Sequence, residues 1–303
     1  MPIHSAPFWI TFGSLGLAIA SLLWPAGNTG HPVRRYLWLA LFAVAVAAGL
    51  VGGFLRPAAL LSIGMLFLAA YLATRSSVKP VVRAGFTILT LLLSLALALH
   101  AIPGYANPQL LKDVQFSNQS APFTMYANFD KGMVGLVLLL FFCRRSSSWS
   151  DFVAACRQQA PLAVILLAVV FGLGWAMGFI RPDVKFPAFL PVFAAINLLF
   201  VCVAEETFFR GVIQEKIAAA LARPRHGEAV ALVVSGLLFG LAHLGGGWKF
   251  ALLASVAGLG YAALYARTRR IEIPILAHFL LNLIHFVGFT YPQALSPNLS
   301  QAL

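Results

Sequence analysis

Residues 196–210 read Ile-Asn-Leu-Leu-Phe-Val-Cys-Val-Ala-Glu-Glu-Thr-Phe-Phe-Arg, so that Glu205 and Glu206 follow directly on a membrane-grade apolar run. The chain holds only 9 acidic residues among 303. An ionisable group in such a run is costly to bury, which makes it a functional-site candidate by default. The run also points to the fold class. At 60% hydrophobic and 10% charged, with mean hydropathy +0.87, the chain reads as a polytopic membrane protein and not as a globular one with a large core. We expect an all-α bundle of about eight to ten transmembrane helices.

A span needs about 20 apolar residues, and candidates fall near 8–24, 37–55, 58–73, 84–102, 132–143, 161–179, 189–209, 229–244, 250–266 and 273–289. With the first residues outside, 15 of the 21 Lys and Arg residues fall on one side, which the positive-inside rule places in the cytoplasm. Residues 103–131 then form one long external loop, read as a connector. The first apolar run has no cationic segment before it and reads as a span, not as a cleaved leader. Short loops and a high Ala and Leu content suggest a multi-pass protein of a bacterial inner (plasma) membrane.

The net charge of +12 invites a nucleic-acid partner. The charges are scattered as ones and twos between apolar runs, however, and read as anchors facing the anionic lipid bilayer, with no nucleic acid involved. Cys143, Cys156 and Cys202 show neither metal spacing nor even pairing. Asn118-Gln-Ser and Asn298-Leu-Ser are formal glycosylation sequons that carry no weight without a known compartment.

Polar residues inside the apolar runs are unevenly distributed. Before residue 196 they are mostly Ser and Thr with a lone His100; after it come Glu205, Glu206, Arg210, His243, His278, Asn282 and His285. We therefore expect residues 1–185 to be a scaffold of transmembrane helices and residues 186–303 to be the catalytic core.

Three short patterns carry the chemistry. In Glu205-Glu206-Thr-Phe-Phe-Arg210, Glu206 and Arg210 lie one helical turn apart and can pair. Glu205, rotated about 100° from them, is free to point elsewhere. The second pattern is Phe239-Gly-Leu-Ala-His243. The third, His278-Phe-Leu-Leu-Asn282, puts an imidazole and a carboxamide on one face, able to donate to a single point. His285 continues that stripe and reads as an interhelical bond. If the chain reverses at Arg223-Pro224-Arg225-His226-Gly227, Glu205 and His243 are each 19 residues from Pro224 and arrive at the same height.

Together these patterns resemble the CAAX-protease and bacteriocin-processing (Abi) family of intramembrane glutamic endopeptidases, whose signature is Glu-Glu-x-x-x-Arg, Phe-x-x-x-His and His-x-x-x-Asn. The likeness covers about the last third of the chain. It implies that Glu205 is the general base activating water, that His243 helps hold that water, and that His278 and Asn282 stabilise the oxyanion. Glu206 and Arg210 would be structural, with Phe239 as packing. No cofactor is implied, and the substrate would be a membrane-associated protein or peptide.

Two rival readings use the same residues. Glu205, His243 and His278 are also an established zinc ligand set. An intramembrane glutamate with histidines also suits a proton-linked transporter or an immunity scaffold, although no pair of Gly/Pro-broken helices marks a midplane site. Other intramembrane protease chemistries fit poorly. There is no His-Glu dipeptide and no Gly-x-Ser-x-Gly, and Asp113, Asp130, Asp151 and Asp183 all fall in expected loops.

Overall fold

The computed structural model describes residues 5–25, 32–221 and 225–295. Part of the expected reversal at 223–227 and the Asn298 sequon lie outside them. Ten helices make up the described fold. They are α1 (Ala6–Leu23), α2 (Pro32–Val51), α3 (Ala58–Thr74), α4 (Pro80–Ala98), α5 (Phe129–Phe142), α6 (Trp149–Ala176), α7 (Leu190–Ala220), α8 (Arg225–Leu241), α9 (Trp248–Thr268) and α10 (Glu272–Gly288). Five of these, α1, α4, α6, α7 and α9, are long and apolar enough to cross a membrane. The chain is a polytopic all-α bundle.

Helix ends differ from the hydropathy reading in a consistent way. Apolarity marks the part of a helix that lies in lipid, while polar turns continue it beyond. α6 begins at Trp149, not at Pro161, because Ser148 accepts a hydrogen bond from the Asp151 backbone N–H. That is an N-cap, and the Asp in the first turn complements the helix dipole. α7 runs on past residue 209 through the polar segment Gln214-Glu215-Lys216 to Ala220. Large apolar side chains on α3, α4 and α6, such as Leu61, Leu92 and Val164, point outward, as a lipid-facing surface requires.

The interior is built on aromatic packing and small residues. Phe12 packs against Phe129 and Phe200, and Phe193 stacks on Phe286 at 3.9 Å, which joins α1, α5, α7 and α10. Gly132 and Gly135 of α5 face Phe200 and Ala204 of α7, and Cys143 just beyond α5 faces Gly211. This constant offset means that α5 and α7 run side by side in the same direction. α8 and α9 approach equally closely. A Cβ on Gly258 would lie 2.7 Å from the Gly236 carbonyl oxygen, the small-residue contact by which helices associate in lipid.

The 103–131 segment is more than a connector. β1 (Gln109–Val114) pairs antiparallel with β2 (Phe123–Tyr126), and their hairpin is seated on the chain after α10. Ala121 donates to the Gln293 carbonyl and Leu295 to that of Gln119, each at 2.9 Å. Two aspartates read as loop residues lie instead in the first turns of helices. Asp151 opens α6, and Asp130 opens α5 with 1% of its surface exposed. They are far apart in the chain and do not form an aspartyl pair; each bonds to groups of its own neighbourhood.

Candidate functional site

Glu205 and Glu206 lie mid-way along α7, where the helix widens into π-type turns at Asn197–Cys202 and Thr207–Gln214. Such turns recur at functional sites because they change which side chains share a face. Glu206 and Arg210 are both fully buried. The Arg210 Nη1 donates to Glu206 Oε1 at 3.2 Å, and its Nη2 donates to the Gly258 carbonyl at 2.7 Å. A guanidinium in a medium of low polarity needs such acceptors; these two meet its Nη atoms, while Nε has no partner among the described residues. It also lies over the Phe239 ring at 4.7 Å, so Phe239 packs beneath the charge.

His243 is not inside a helix, as the sequence reading had it. α8 ends at Leu241, and His243 follows in the turn. The last carbonyls of a helix lack backbone partners, and His243 Nδ1 donates to one of them, that of Phe239, at 2.7 Å. Since a carbonyl can only accept, Nδ1 carries the proton. In the neutral ring Nε2 is therefore an acceptor, and it faces Glu205 Oε2 at 4.0 Å.

His278 enters from α10. Its Nδ1 donates to Glu206 Oε1 at 2.8 Å, on the same oxygen that Arg210 holds, while its Nε2 faces Glu205 Oε2, also at 4.0 Å. Tyr261 of α9 stacks on the imidazole at 4.9 Å and fixes the ring plane. Asn282 does not donate to the same point as His278. One of its N–H bonds goes to Asn197 Oδ1 at 3.2 Å, and the Cys202 sulfur lies 3.8 Å from the same nitrogen. His285 bonds the Thr290 carbonyl through Nε2 at 3.2 Å, within its own chain segment and not between spanning helices.

Glu205 is not left unpaired by its rotation away from Arg210. Its Oε1 accepts from the Lys131 ammonium at 2.7 Å, and both side chains are largely buried. Among the described residues Oε2 has no hydrogen-bond partner. The carboxylate thus has one oxygen anchored and one presented to two imidazole nitrogens. His243, His278, Asn282 and His285 line an open cleft of about 530 Å³, its mouth included. The other walls are apolar, among them Phe171 of α6 and Phe250 of α9. An apolar pocket with a few convergent polar groups is the usual form of a small-molecule or peptide site.

Among the described residues no group of three or more His, Cys, Asp and Glu is arranged to hold a metal ion. Two ligands on a tetrahedral zinc with bonds of about 2.0–2.1 Å lie roughly 3.3 Å apart. The 4.0 Å spacings here are wider.

The sequence reading missed Lys131, Asn197, Tyr261 and Gly258. Asn197 and Lys131 each carried one available signal, a polar group next to an apolar run. Tyr261 and the Gly258 carbonyl carried none, since stacking and backbone acceptance leave no local pattern.

Residues 186–284 match the family model described as Type II CAAX prenyl endopeptidase Rce1-like. A protein of Bacillus subtilis (strain 168) named "Putative membrane peptidase YdiL" is 32% identical over 119 residues. That match covers 37% of this chain and 43% of the relative, so the chain aligns with less than half of the relative's length. No solved structure matches the chain. Five candidate spans and these likenesses describe an integral, multi-pass membrane protein. The family resemblance read from the three motifs is thereby borne out, since the segment that matches the Rce1-like CAAX prenyl endopeptidases, 186–284, contains all of them.

Proposed function

We propose that the protein is an intramembrane endopeptidase in which Glu205 activates water against a peptide bond of a membrane-associated protein or peptide. The observation that carries this reading is the buried, unpartnered Glu205 Oε2, which faces the Nε2 atoms of His243 and His278 at 4.0 Å each, the two imidazoles themselves lining an apolar cleft. A carboxylate oxygen and an acceptor nitrogen at that separation cannot bond each other, but one water can donate to both. Such a water directs its lone pair away from both acceptors, toward a substrate in the cleft.

The steps then follow. The water oxygen attacks the scissile carbonyl carbon while Glu205 Oε2 takes its proton. The carbonyl oxygen becomes an oxyanion and accepts from His278 Nε2 and from Asn282, whose carboxamide turns to it from Asn197 and Cys202 when substrate is bound. With Nδ1 donating to Glu206, His278 can donate from Nε2 only as an imidazolium. The carbonyl re-forms as the C–N bond breaks, Glu205 returns its proton to the leaving amine, and the new carboxylic acid gives its own proton to the amine or to solvent, leaving a carboxylate. Fixed donors in a water-poor site stabilise developing charge strongly. Glu206, Arg210 and Phe239 hold the donors in place. Residues 1–185 serve as scaffold and 186–303 as catalytic core, in a bacterial inner membrane.

The experiment is Glu205→Gln in purified protein. The amide cannot take the proton, so cleavage should stop while the variant accumulates in the membrane at the wild-type level. Wild-type turnover by that variant would sink the mechanism.

A further inference from the structure

We infer that Lys131, which lies outside the family-matching segment 186–284, is a positioning residue for Glu205. It would hold one carboxylate oxygen so that the other is presented to His243 and His278. The inference rests on the protease reading and adds to it a residue from the N-terminal half of the chain.

Four observations carry it. Lys131 Nζ lies 2.7 Å from Glu205 Oε1 and bonds no other side chain among the described residues, so the ammonium serves this carboxylate alone. The anchored oxygen is the one turned away from the imidazoles; the free oxygen is the one they face. The lysine backbone is itself fixed at a buried helix start. Asp130 Oδ1 accepts the Lys131 N–H at 2.9 Å, and Asn107 Oδ1 accepts that of Phe129 at 2.9 Å. Asp130 is in turn held by His100 Nδ1 at 2.7 Å and by Asn107 Nδ2 at 3.0 Å. Finally, α5 packs tightly on α7 beside Glu205, since a Cβ on Gly135 would lie 3.1 Å from the Ala204 backbone.

A long, flexible lysine is a poor positioning device on a surface, where its rotamer freedom is large. Here both its backbone and its partner are locked, so the ammonium defines where the carboxylate sits. Without it the Glu205 side chain can rotate toward either the histidines or α5, and the water it holds moves with it. A misplacement of about 1 Å in a reacting group is enough to cost on the order of 100-fold in rate.

Two measurements test the inference. The first is a thermal-stability cycle of Lys131→Met, Glu205→Gln and the double variant in detergent-purified full-length protein. The pair predicts that each single change lowers the midpoint and that the double variant recovers part of the loss. Additive losses would overturn the inference whatever the activity. The second is turnover per folded molecule on a fluorogenic peptide spanning the cut made by the wild type. Lys131→Met should lower kcat by about 100-fold with KM unchanged, and Lys131→Arg, which keeps the charge, should restore most of it. Wild-type kcat in folded Lys131→Met would reduce the pair to a structural contact and overturn the inference. Absence of any wild-type cut, with the stability coupling intact, would instead defeat the protease reading and with it this role for Lys131.

Discussion

Replacing Arg210 with Ala tests the packing beneath the site quantitatively. At 3.2 Å the Arg210–Glu206 attraction amounts to roughly 5 kcal/mol for an effective dielectric near 20. Desolvation of two fully buried ions offsets most of that, so the intact pair contributes little net stability. Removing one partner is another matter, because Glu206 keeps its buried charge with only the His278 N–H to meet it. The Gly258 carbonyl also loses its guanidinium donor. Breaking a buried pair in this way costs about 3–5 kcal/mol. At about 2 °C per kcal/mol for a chain of this size, the expected fall in the denaturation midpoint is roughly 6–10 °C. Tryptophan fluorescence of the purified protein during a thermal ramp would read it. The double variant Glu206→Gln/Arg210→Ala removes the stranded charge and should recover much of the loss. A single variant that melts with the wild type, or a double variant no better than the single, would refute the reasoning.

Other consequences can be measured in the same preparations. Gly258→Ala places a methyl 2.7 Å from the Gly236 carbonyl oxygen; forcing α8 and α9 apart should cost about 1–3 kcal/mol, seen as a lower midpoint. Asn282→Ala removes one proposed oxyanion donor and should lower kcat by about 100- to 1000-fold with a near-wild-type midpoint, whereas an unchanged kcat would remove Asn282 from the chemistry. Chelation with EDTA or 1,10-phenanthroline, followed by elemental analysis of the purified protein, should leave cleavage intact; stoichiometric zinc, with activity lost on its removal, would establish the metal-dependent alternative.

The part of the site that could be read from the sequence is the part encoded locally. Glu206 and Arg210 pair across one turn of α7, and the equal distances of Glu205 and His243 from the expected reversal do bring the two within 4.0 Å. What escaped is encoded by tertiary approach. Lys131 precedes Glu205 by 74 residues and reads as the last residue of a loop, because hydropathy cannot show that a helix begins in the polar residues ahead of its apolar run. Asp130 reads as part of the same loop for the same reason, although it is buried and bonded. The Asn197–Asn282 bond redirects a carboxamide whose helical spacing alone suggested that it points with His278. The β1–β2 hairpin is stabilised by contacts with residues after α10, far along the chain, and its short strands have no clean alternation to announce them.

A role for Glu205 in driving hydrolysis can be checked by comparing protein termini in host membranes. The cells would express the wild type or Glu205→Gln at matched levels. At least one new terminus, in a membrane-associated protein, is expected only with the wild type. Identical termini in both membranes, across conditions in which the protein is made, would contradict it and favour a transporter or scaffold instead.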